Sequence, residues 1–213
     1  MNSRVGTLVC IESVPRRVFA SALDWPGWCR AGRTEQEALA TLAAYASRYA
    51  PVCLQAGVAL PAKAADTLEV IERVTGNATT EFGAPGIEAE YERQHLDAKD
   101  AKRLAALVAA CWDVFDRAVA AAPAELKKGP RGGGRDRDPI ARHVAEAEIA
   151  YARKLGIRLG GDLAPVRAAL VDLVGTPSDG QPHVNKGWPP RYAARRIAWH
   201  VLDHAWEIQD KSV

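Results

Sequence analysis

The chain is 213 residues long, 48% hydrophobic and 25% charged, with 28 basic and 26 acidic residues and a formal net charge of +2. This composition belongs to a globular protein with a buried core and excludes an extensively disordered chain. The near-balanced, interleaved charge excludes a strong field for nucleic acid, and the absence of any run of about eighteen uncharged apolar residues argues against a spanning helix or other membrane role.

The first residues, MNSRVGTLVCIES, carry a short apolar segment without a cleavage-like small-residue site, so they read as a strand in a cytoplasmic protein and not as a signal peptide. Residues 4–11 and 17–23 have strand composition and are separated by the turn-forming Ser13, Val14 and Pro15. Thr34 with Glu37 three residues on forms a capping box, and Ala38, Leu42, Tyr45 and Tyr49 give the helix that follows an apolar face. Pro51 is expected to end or bend it. Residues 67–74 read as a further strand, completing a ββαβ unit.

Beyond Gly83 to Gly86 the pattern turns helical. Tyr91, Ala98, Ala101, Ala105, Val108, Trp112, Phe115 and Val119 mark a long amphipathic helix, closed by Pro123 and the loop at residues 129–134. Asp138 as N-cap with Pro139 at the first helical position opens the next helix, which stops at Gly156. Residues 165–174 and 191–210 supply two more helices, joined by a Pro- and Gly-rich stretch at 176–190. The fold class is therefore α+β: a ββαβ module at residues 1–83 and a four-helix bundle at 84–213.

The histidines carry the functional signal. In the last helix the apolar stripe runs Ala193, Ile197, His200, His204, Ile208, a spacing that keeps one face of a 3.6-residue helix. A second stripe runs Ile140, His143, Val144, Ala147, Tyr151, Leu155. Histidines paired on a helix are often plain surface or satisfied core residues, but three on two inward faces are costly to bury without partners, and a divalent cation satisfies them together. Three imidazoles without a thiolate favour Zn, Ni, Fe or Cu over Mg or Ca, with Zn, Ni or Fe as the expected cofactor, and leave at least one coordination position open. Glu146, Asp203 and Glu207 are the carboxylates near enough in sequence to orient the rings.

Tyr91, His95 and Trp199 are candidates for the pocket, with Trp112 and Trp206 as core or pocket walls and His183 as a loop residue. The basic clusters at 131–137 and 191–196 read as solvated loop and helix-end charge. Cys10, Cys29, Cys53 and Cys111 form no CxxC pair or zinc-ribbon spacing and read as reduced, buried apolar residues. No GxSxG, P-loop or GxGxxG arrangement is present.

The stretches DPIARHVAEAEIAYARKLG and RYAARRIAWHVLDHAWEIQDK resemble the DinB-like superfamily of metal-binding four-helix bundles. The resemblance implies a metal held by one histidine from the second helix, His143, and a pair from the last, His200 and His204. Some members use a low-molecular-weight thiol, which implies a thiol S-transferase or hydrolase acting on a small electrophile, and many dimerise, which implies a homodimer. The stretch RRVFASALDWPGWCRAGRTEQEALATLAAYASRYA is similar to HicB-like domains in its turn, Asp24 to Gly27, and its helix start, Gly32, Thr34, Glu35 and Ala38. HicB antitoxins carry a DNA-binding module where this chain has a bundle, so DNA binding is not expected. The alternative to an enzyme is a regulatory protein that recruits a partner through the HicB-like half and holds a structural metal, with His95 as a fourth ligand.

Overall fold

The computed structural model describes residues 6–129 and 133–212. Strands β1 (Thr7–Val14), β2 (Arg17–Ala22), β3 (Cys29–Gly32) and β4 (Leu68–Thr75) form one sheet in the order β3-β2-β1-β4. β1 pairs antiparallel with β2 and parallel with β4, and β2 antiparallel with β3. Helices α1 (Glu35–Ala44) and α2 (Ala46–Gln55) make the crossover that a parallel β1/β4 pair requires. A short α3 (Ala78–Phe82) and a 3₁₀ turn (Glu90–Arg93) lead into α4 (Ala98–Ala121), α5 (Arg137–Lys154), α6 (Leu163–Val174) and α7 (Pro190–Lys211). The class is α+β, with strands in the N-terminal part and a ring of four packed helices in the C-terminal part, α4 and α5 each lying against both α6 and α7.

Several boundaries differ from the sequence reading, each for a local reason. β1 runs on through Val14, so the turn is Pro15 and Arg16, with Val14 facing Arg17. Residues 4 and 5 of the expected strand lie outside the described residues. Strand β3 is an addition to the ββαβ unit, and its four residues leave no room for visible alternation. The helix after Thr34 breaks at Tyr45, ahead of Pro51, and Pro51 is carried inside α2. Tyr91 belongs to the 3₁₀ turn and not to the long helix, which starts at Ala98 with the Asp97 carboxylate accepting from Asp100 N at 2.8 Å. The cap of α5 is Asp136 rather than Asp138, which places Pro139 third in the helix, still among the N–H positions that have no intrahelical partner.

One hydrophobic cluster runs from Val9 and Val18 of the sheet to Leu202 and Ile208 of α7. Its junction is the turn Asp24 to Gly27. Trp28 donates from Nε1 to Leu42 O at 2.8 Å, stacks on Tyr49 at 5.6 Å between ring centres, and Tyr49 donates back to Pro26 O at 2.9 Å. Gly27 has φ +92, and a Cβ there would lie 2.5 Å from Leu202 Cδ1, so the turn is seated directly on α7. All four cysteines are free and buried, and burial raises their thiol pKa values. Among the described residues no helix is long and apolar enough to cross a membrane.

A buried ion pair fixes α7 against the sheet. Arg195 donates to Glu92 at 2.6 and 2.9 Å, to Ile87 O at 2.8 Å and to Ser21 Oγ at 3.3 Å. Removing one partner of such a pair leaves an uncompensated buried charge. Glu92→Ala is expected to lower stability in urea unfolding by about 3–5 kcal/mol, whereas Glu35→Ala, which breaks the exposed pair with Arg73, should change it by less than about 1 kcal/mol.

Candidate metal centre

Helix α7 is unusual in being buried on every residue from Pro190 to Leu202. One side lies on the sheet, where the Trp199 ring meets Phe19 edge-on at 6.0 Å. Another side faces α5, and there His200 and His204 meet His143. The basic run at 191–196 is consequently interior: Arg191, Arg195 and Arg196 are all buried, and the expectation of solvated charge fails because the helix carrying them is central and not peripheral. Of the other basic run, residues 131 and 132 lie outside the described residues.

The three histidines each offer a ligand nitrogen, and these atoms lie within 4.8 Å of one another. His143 Nε2 and His200 Nε2 are 3.2 Å apart, close to the separation of about 3.4 Å for two nitrogens on one tetrahedral zinc. His204 bonds through Nδ1 to Glu207 Oε2 at 2.8 Å, which leaves Nε2 as its ligand atom. Glu207 is itself held by Lys211. A carboxylate accepting from Nδ1–H fixes the tautomer that points a lone pair at a metal. His200 Nδ1 is buried without a partner.

The surroundings favour the neutral, lone-pair-bearing form of His200 and His143. Burial pushes the His200 imidazole down to about 2, with His204, Arg196, His143 and Arg135 acting in the same direction. Burial also lowers His143, against the pull of Glu146 and Glu207. The hydrogen bond from His204, with Lys211 adding to it, draws Glu207 down to about 2. His200 is thus neutral at pH 7 and offers its lone pair without first losing a proton. The donor set and its spacing could hold a metal ion.

The remaining candidates separate cleanly. Trp199 is beside His200, ring centres 6.1 Å apart. Glu146 is exposed. Asp203 is turned to Arg30, 3.0 Å away, and does not orient a histidine. Tyr91 packs with Leu8, Cys10, Leu23 and Ala89 and donates to Asp24 at 3.0 Å, so it belongs to the sheet side. His95 and His183 are exposed, and His95 is not a member of the three-histidine group, which removes it as a fourth ligand. Trp112 lies under Arg167 on α4, and Trp206 packs against Tyr45 and Arg30.

Three neighbours were not singled out as site residues. Tyr151 lies 5.7 Å from the His200 ring, Trp188 lies 5.1 Å from Tyr151, and the Arg196 guanidinium covers both Tyr151 and Trp199. For Arg196 the signal was in the sequence, since it precedes His200 by four residues on the same helical face. No family model, curated protein or solved structure matches the chain.

The depressed pKa of His200 has a consequence for stability. The folded state binds fewer protons than the unfolded state, in which the ring titrates near 6.5, so the contribution is complete above that pH and is lost as pH falls below it. In chelated protein, unfolding free energy should drop by about 2 kcal/mol between pH 6.5 and 5. In His200→Gln this part of the pH dependence should disappear, as measured by urea melts across that range.

Proposed function

We propose that the chain is a DinB-like metal protein in which His143, His200 and His204 hold a divalent Zn, Ni or Fe ion, and that it activates a low-molecular-weight thiol or water for transfer to a small electrophile. The observation that carries the reading is the convergence of one histidine from the second helix of the bundle and two from the last on a common point. Three protein ligands leave a position for an exogenous molecule, which distinguishes a reactive centre from a closed structural one. A bound ion of this class supplies Lewis acidity and lowers the pKa of a thiol or water placed beside it.

The chain's own residues supply the rest. Glu207 orients His204 through Nδ1, and Lys211 holds Glu207. Tyr151 and Trp199 flank His200, with Trp188 packed against Tyr151, and these rings would seat the apolar part of a small molecule and exclude water. The same rings explain why His200 stays unprotonated. A homodimer and a thiol co-substrate are part of this proposal through the superfamily resemblance.

Tag-free protein is expected to carry about one equivalent of Zn, Ni or Fe per chain, and His200→Ala to lose it while keeping a normal far-UV spectrum. Glu207→Gln should weaken metal affinity by about 10–100-fold. Conjugation of a low-molecular-weight thiol to a small electrophile should stop on chelation and return on adding metal. Folded wild-type protein that takes up no metal overturns the reading.

A further inference from the structure

Arg196 is a buried cation without an anion. Its neighbour Arg195 is paired with Glu92, and Arg191 lies 3.6 Å from both Asp24 and Asp100. Among the described residues Arg196 makes no ion pair, and its Nη1 is buried with no hydrogen-bond partner. A buried guanidinium is ordinarily paired, because an unmatched charge away from water is among the most costly groups a fold can carry.

Its position gives the orphan a meaning. Arg196 precedes His200 by one turn on the same face of α7, about 6 Å along the helix. The guanidinium carbon is 5.3 Å from the Tyr151 ring and 4.8 Å from the Trp199 ring, and those rings lie 5.7 and 6.1 Å from His200. The guanidinium carbon therefore sits over both aromatic residues that flank His200, and Nη1 is left without an acceptor. Planar N–H donors match the two oxygens of a carboxylate.

We infer that Arg196 is a carboxylate-binding residue, and that the small molecule taken by the three-histidine centre carries a carboxylate about one helical turn from the atom placed at the metal. The inference rests on the metal reading for the second half of that statement only; the anion site itself depends on Arg196 and its walls. It adds a substrate class, an acid-bearing thiol or electrophile, to a reaction type that the histidines leave open.

The test uses the full chain, chelated and desalted, titrated calorimetrically with succinate and with its neutral diamide. Wild-type protein should bind the acid at least about tenfold more tightly than the diamide. Arg196→Met should abolish that preference and Arg196→Lys should keep part of it. Zinc titrated into Arg196→Met should bind as in wild type, within about threefold. Its melting temperature should stay within about 3 °C of wild type or rise, since an unmatched charge is removed.

Equal binding of acid and diamide by wild type, an unchanged preference in Arg196→Met, or a fall in its melting temperature beyond about 6 °C would overturn the inference, the last by making Arg196 a structural residue. Failure of wild-type protein to bind zinc would instead remove the metal reading, with the anion site still decided by the acid and diamide comparison.

Discussion

The burial of α7 governs this molecule. A helix buried at every residue from Pro190 to Leu202 must find partners inside the protein for the polar groups of that stretch, which carries three arginines and His200. On the sheet side the requirement is met for Arg195, occupied by Glu92, Ile87 and Ser21, while Arg191 lies near Asp24 and Asp100 but leaves Nε and Nη1 without a hydrogen-bond partner. On the α5 side it is met only in part. His200 shares a short contact with His143 but keeps Nδ1 empty-handed, and Arg196 keeps an N–H without an acceptor. These two orphaned atoms lie beside the three-histidine cluster, the place proposed to take an ion and an anionic ligand.

The two sides of α7 depend on each other. The turn Asp24 to Gly27 seats the sheet on α7 through Gly27, while Trp28 and Tyr49 fasten the same turn to α1 and α2. Arg30, packed over Tyr45 and Trp206, reaches Asp203 and ties β3 to the later part of the helix. These contacts fix the rotation of α7 about its axis, and that rotation decides which residues face α5. A sheet side fixed by the Arg195 pair and the Asp24 to Gly27 turn is what lets the opposite side hold groups whose free energy is recovered only on ligand binding. The first eighty residues thus act on the site as its scaffold, whatever else they bind.

Much of this was legible in the letters. The 3.6-residue stripes placed His143, His200 and His204 on inward faces, and the α+β order of elements followed from the change in periodicity near Gly83. What escaped notice was short or depended on tertiary context. Strand β3 is four residues long, and α3 is a five-residue helix whose Asn77 cap and Gly83 stop were readable but whose length falls below what periodicity can detect. The fate of each carboxylate was not readable from proximity: Asp203 adjoins His204 and Glu207 is three residues on, yet the more distant one bonds the ring and the nearer is drawn away by Arg30, a residue more than half the chain distant. The arginines of α7 misled for the same reason, because charge reads as surface until the helix is known to be central.

In the proposed centre three imidazoles share one ion and leave one place for an outside ligand. X-ray absorption at the K-edge of zinc-loaded protein measures this directly. It should show three imidazole nitrogens at about 2.0–2.1 Å with one further light ligand and no sulfur. Fewer than three imidazoles, or a thiolate sulfur at about 2.3 Å, would contradict it.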